Sequence, residues 1–270
     1  MRIFFVLMSA IALSPTLIIA NSPSASAGQL GGSATSSSSA TEPLFESFMI
    51  DFDDFATGTY IVGDEWAQYG VNISVDSNRN LKGDKQASLP LRLFDSNCRP
   101  QGSSDKSLPK CSGGDHDLAT GDAFGTEAQG NVLIIQEDNS KRQDRSNLGN
   151  PDDDARGGTI TFHFEQAIKD LKLGFLDFDD RDRGEGFIRF YTGIDDTEAA
   201  MTFNLSSVEA LVNPGFTGDN SLRIFASLDL AIQRLEVEYP GSGAITHLEY
   251  SQIAPGGSRN WGDSKDSHLF

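Results

Sequence analysis

The chain reads as an all-β protein, an antiparallel β-sandwich of jelly-roll-like type with long acidic loops. Three observations predict this. From Phe45 onward apolar residues recur with period two, the runs are rich in β-branched and aromatic side chains, and turn residues separate them at short intervals. About ten such strands with turn chemistry between them suit two packed sheets. Alternating faces predict antiparallel sheets with one wet side each.

The N-terminus stands apart from this pattern. Arg2 supplies a positive start, Ile3 to Ala20 form an apolar run, and "ASA" at Ala25 to Ala27 offers small residues for cleavage. Residues 1–27 are therefore expected to be a signal peptide, and the mature chain to be secreted. Residues 28–43, "GQLGGSATSSSSATEP", hold too little apolar surface to offset their ordering entropy and read as a flexible lead-in. One domain is expected over 44–253. The tail 254–270 has no closing hydrophobic stretch, so neither a lipid anchor nor a membrane span in the mature chain is expected.

Within the domain, "FESFMIDF" sets Phe48, Ile50 and Phe52 on one face. "YGVNISV" does the same with Val71, Ile73 and Val75, and "GTITFHFEQ" with Ile160, Phe162 and Phe164. "LPLRLFD" and "NVLIIQED" are short, apolar and closed by acids. "IKDLKLGFLDF" and "GFIRFYT" suggest a hairpin joined by an acidic knot. "AMTFNLS", "SLRIFASL", "IQRLEVEY" and "GAITHLEY" complete the set, and "SSVEALVN", capped by Ser207, is the one helical competitor.

Between Asp95 and Gly158 the chain turns polar apart from "NVLIIQED", the mark of a functional or unstructured insertion. It holds both cysteines. In an oxidising compartment Cys98 and Cys111 are expected to form a disulfide; a two-thiolate metal site lacks partners at zinc-like spacing.

The formal charge is −18. That disfavours nucleic acid and anionic membranes, which need a basic footprint. Acids gather at Asp51, Asp53 and Asp54; at Asp115, Asp117 and Asp122 with Asp95 nearby; at Asp152 to Asp154; and at Asp177, Asp179, Asp180 and Asp182. Calcium accepts such irregular oxygen-rich loops, and acids at i and i+2 on a strand share a face. Structural Ca2+ is thus an expectation for Asp53, Asp54, Asp95, Asp115, Asp117, Asp152, Asp153, Asp177 and Asp179. The competing reading is a set of solvated loop tips that block edge-to-edge sheet association, with Arg156, Arg181 and Arg183 as partners.

No catalytic motif is present: no G-x-S-x-G, H-E-x-x-H or phosphate loop. Carboxylate pairs for glycoside hydrolysis arise by chance in so acidic a chain, and Glu165, Glu185 and Glu249 cannot be ranked. No catalytic residue is assigned. Trp66 and Tyr69 in "DEWAQYG", with Tyr60, form a candidate sugar-stacking platform; the alternative places the tryptophan over the end of the core.

The words "IDFDDF", "RLFDSN", "GGDHDLAT", "GNVLIIQED", "PDDDARGGTITFHF", "LGFLDFDD" and "PGSGAITHLEY", in that order, resemble a secreted module of bacterial and algal extracellular proteins, often of PEP-CTERM type. The likeness spans about 45–252. It implies a surface or matrix role on a jelly-roll-like sandwich and no particular chemistry. The chain departs from the pattern by lacking the sorting tail and by carrying "CRPQGSSDKSLPKC". The resulting expectation is a non-catalytic, calcium-stabilised module that binds extracellular glycan or matrix. The alternatives are a carbohydrate-active hydrolase or lyase on the same scaffold, and an acidic adhesion or mineral-contacting protein.

Overall fold

The computed structural model describes residues 45–78, 90–99, 102, 104, 106–113, 116–137, 150–177, 184–205, 220, 222–226 and 230–253. The expected signal peptide, lead-in and tail lie outside these, as do the helical turn at Ser207 and the acidic knot from residue 178 to 183.

Eleven strands are described: β1 (Phe45–Ile50), β2 (Tyr60–Ile61), β3 (Val71–Ser77), β4 (Leu91–Asp95), β5 (Asn131–Ile135), β6 (Gly158–Leu176), β7 (Phe187–Tyr191), β8 (Met201–Asn204), β9 (Arg223–Ala226), β10 (Ile232–Tyr239) and β11 (Ala244–Ile253). Every pairing between them is antiparallel. The architecture is the antiparallel, jelly-roll-like sandwich that the alternation predicts.

One strand belongs to both layers. The first half of β6 pairs with β3 on one side and β10 on the other. Its second half pairs with β11 and β9. One layer therefore runs β8-β7-β10-β6-β3, and the other β2-β4-β5-β11-β6-β9 with β1 also against β11. The passage between layers lies after His163, where the register with β10 jumps to Ile168. Asp170 takes a left-handed φ of 52° close by, at a second irregularity.

Inward residues of the two layers meet in one apolar core. Phe164 of β6 packs edge-on to Tyr250 of β11 at 5.4 Å, and Phe190 of β7 lies 5.1 Å from Phe225 of β9. Ile160, Phe162, Leu235, Val237, Leu93, Leu133 and Ile245 fill the space between, all buried. Burying each such side chain stabilises the fold by about 1.5–3 kcal/mol before entropy is counted.

Three expectations change. "GTITFHFEQ" and "IKDLKLGFLDF" are not two strands but the single 19-residue β6. Accordingly β7 is not its hairpin partner; β7 lies between β10 and β8. Nor does each sheet keep one wet side. All five residues of β5 are buried, because its outer face, with Phe94 and Leu176, is covered by Cys98, Cys111, Leu118, Ala119 and Phe124. The polar insertion folds over the sheet and closes a second small core. The Cys98–Cys111 disulfide is formed within it. No helix among the described residues is long and apolar enough to cross a membrane.

Candidate functional site

A short sequence word helps build a concavity at one end of the core. An aromatic residue followed two positions later by glutamine occurs at Trp66-Ala67-Gln68, Phe164-Glu165-Gln166 and Tyr250-Ser251-Gln252, and at no other glutamine in the chain. All three aromatics are fully buried. On strands β6 and β11, residues i and i+2 share a face, so Gln166 and Gln252 continue the core face beyond the end of the core, while Gln68 comes from the 3-10 turn Ala67–Tyr69. The three amides thereby arrive at one rim. They line a cleft of about 290 Å³ together with Glu46, Phe48, Ala67, Tyr69, Gly70 and Glu165.

The cleft sits where β6 passes between layers. Glu46 and Phe48 share a face of β1, and Glu46 lies opposite Gln252 in the register with β11. Its wall from residue 67 to 70 is a single 3-10 turn ended by Gly70 at φ 71°, a left-handed conformation open to glycine at little cost. Gly70 also lets this turn close on its neighbours: a Cβ there would stand 3.1 Å from the Gln252 amide. The Gly70 carbonyl accepts the Glu165 N–H at 2.8 Å, anchoring the opposite wall.

Tyr69 is held by its backbone rather than its ring. Its carbonyl accepts the Tyr250 hydroxyl at 2.8 Å and the Gln252 Nε2–H at 3.3 Å. Burial, and then the neighbouring Tyr69, pushes the Tyr250 hydroxyl pKa well up, so it stays a donor. The Tyr69 ring is half-buried and meets Phe48 at 6.1 Å, while Phe48 stacks on Tyr250 at 5.5 Å. Chemically the cleft offers aromatic surface, three amides that both donate and accept, and two exposed carboxylates.

Of the three expected platform residues, only Tyr69 lines it. Trp66 is a core residue: fully buried, it meets Phe52 and Phe55 edge-on at 5.3 and 5.4 Å. The Tyr60 ring is covered by the Arg92 guanidinium at 4.6 Å. Sequence reasoning passed over Glu46, Phe48, Gly70 and all three glutamines, and the recurrent aromatic-x-Gln word is the signal that finds the amides.

The acidic words serve several local roles. Asp53 Oδ1 accepts the Asn131 N–H at 2.8 Å, and Gly130, at φ 68°, leaves room for that carboxylate, which a Cβ would meet at 2.4 Å. Asp54 is exposed. Asp95 Oδ1 accepts the Asn97 N–H at 2.9 Å, closing a turn on its own chain. The carbonyls of His116, Asp117 and Ala119 surround the Asn220 Nδ2 at 2.7–2.9 Å. The Asp152 carboxylate packs against Gly113. Buried Asp153 accepts the Gly243 N–H at 2.7 Å. Asp177, also buried, turns the chain at φ 47°. Burial first, then Asp177 and Asp153, raises the Tyr239 hydroxyl pKa, so the words around 153, 177 and 239–243 meet at one place. Asp115 and Asp179 lie outside the described residues. Among the described residues no three acidic, histidine or cysteine side chains gather to hold a metal ion.

The fold and cleft define a β-sandwich module with a polar, aromatic-edged recess. No family model and no curated protein matches the chain. Among solved structures it is similar to a family 29 carbohydrate-binding module, at 14% identity and TM-score 0.24 over 67% of this chain and 88% of that one. Two variants of such a module, made to probe ligand recognition, match at 12% and 14% identity with TM-scores of 0.22 and 0.24. They also cover 67% of this chain, and 91% and 92% of their own. Scores this low carry no weight for the ligand of this chain.

Proposed function

We propose that this chain is a secreted, non-catalytic module that binds extracellular glycan in the cleft at the β6 crossover. The convergence of three glutamines with Tyr69 and Phe48 carries the reading. Sugar recognition asks for apolar ring faces to be covered while hydroxyls find groups that donate and accept, and amides beside aromatics supply both. Calcium has no part in this reading. The cleft is assembled by backbone hydrogen bonds and by the edge of the core.

The test is a glycan array followed by titration calorimetry. Wild-type protein should retain a set of oligosaccharides, and Tyr69→Ala should weaken them about tenfold or more, as expected for an aromatic anchor, with its melting temperature nearly unchanged. Equal retention by Tyr69→Ala would place the ligand elsewhere on the molecule. Release of reducing ends from any bound oligosaccharide would overturn the non-catalytic part.

A further inference from the structure

The cleft's charge narrows the sugar it takes, an inference that rests on the glycan reading above. Among the described residues its lining carries two carboxylates, Glu46 and Glu165, and no lysine or arginine. Both acids are exposed. They stand on different strands, β1 and β6, so they flank the recess instead of lying side by side on one segment. Gln252, only 8% exposed, is seated between the rim and the turn at Tyr69, whose carbonyl accepts its Nε2–H. The whole chain adds a field of the same sign, with formal charge −18.

Uronic and sulfated sugars would bring a like charge into a partly desolvated recess whose described lining holds no cation, a juxtaposition that costs binding. A neutral sugar meets the amides and the rings but brings the two carboxylates no charged partner. A protonated amine on the ring gains charge-assisted hydrogen bonds to them, which are shorter and about twice as strong as neutral ones.

We infer that the cleft selects sugars bearing a free amine, glucosamine-type units of a partly or fully deacetylated glycan, with Glu46 and Glu165 setting the preference and Tyr69, Phe48 and the glutamines holding the ring. No covalent step is involved.

The experiment compares a glucosamine tetramer, its N-acetylated counterpart and a uronic-acid tetramer by calorimetry. It is run at pH about 6, where the sugar amine is charged. The amine tetramer should bind about tenfold tighter than the N-acetylated one, the worth of one such charged contact, and the uronic tetramer weakest. E46Q and E165Q should each pull the amine-to-acetyl ratio toward one. E198Q, at an exposed acid outside the cleft, should leave that ratio intact.

Equal affinity for the amine and acetylated tetramers would overturn the amine preference and keep the glycan reading. A preference that E198Q erodes as strongly as E165Q would assign it to the bulk field and overturn it too. Absence of binding by every sugar would sink the glycan reading itself, binding indifferent to Tyr69→Ala would move it away from this cleft, and either would overturn this inference.

Discussion

At the scale of single residues, similar-looking side chains take opposite roles. Trp66 and Tyr69 stand three positions apart in one acidic-aromatic word, yet one is sealed in the core and the other edges the cleft. The indole Nε1–H of Trp66 is buried with no hydrogen-bond partner among the described residues, so its contribution is chiefly packing. Trp66→Ala is expected to cost about 3–5 kcal/mol of stability, measured by urea denaturation. Trp66→Phe should cost distinctly less, because no hydrogen bond is lost with the indole. A stable Trp66→Ala protein with weakened glycan affinity would reverse this assignment. Asp53 is a second case. Its carboxylate satisfies the Asn131 amide, and Asp53→Ala should destabilise by about 1–2 kcal/mol; a loss near zero would show that solvent replaces it freely. None of this was legible in composition: exposed Asp54 and hydrogen-bonded Asp53 are neighbours in one run, and only a partner 78 residues away tells them apart.

Single elements show where pattern reading succeeds and where it stops. Strands β3 and β10, which mostly alternate between buried and half-exposed or exposed positions, were readable because each has one wet face. β5 was readable as a strand but not as one buried on both faces, since what covers it comes from a segment whose composition is polar. Phe94, Leu118 and Phe124 are too widely spaced among Gly, Ser and Asp to signal a core. The joining of β6 was hidden for a different reason. The apolar alternation of "GTITFHFEQ" stops after Phe164, and Glu165 and Gln166 are the exposed and half-exposed residues of a passage between layers. The disulfide fastens the cover over β5. Replacing Cys98 and Cys111 together by serine is expected to lower stability by about 3 kcal/mol, the loop-entropy value for a closure of this size. Hydrogen exchange at Val132 and Ile134 should then accelerate more than at Ile160 and Phe162. Uniform acceleration would show the cover to be no separate unit.

For the molecule as a whole, histidine sets a pH dependence with a definite sign. Burial, and then Arg234, lowers the His163 pKa; burial is also the leading cause of the lowered His247 pKa, with Lys172 acting in the same direction. The unfolded chain, with histidine near its ordinary value of 6.5, therefore takes up protons first as pH falls. Stability is fully present above that value and declines as pH drops through it toward the lowered folded-state values. Chemical denaturation across this window should show the decline, and a His163→Asn, His247→Asn variant should lose that share of it. An unchanged slope in the double variant would transfer the effect to the carboxylates.

The strand shared by both layers has a consequence for how the molecule comes apart. Because β6 contributes hydrogen bonds to β3 and β10 at one end and to β11 and β9 at the other, neither layer can lose its order without stripping the central strand of the second. Partial denaturation that leaves one sheet standing is thereby suppressed, and both sheets should melt in one cooperative transition. The same arrangement joins segments far apart in the chain, Val71 to Phe164 and Phe45 to Ile253, so the chain must close long loops before most pairing is rewarded, and it should fold slowly. The cleft, lying at the point where that strand changes layers, needs both layers in place, and so it forms late and is lost early on the same path.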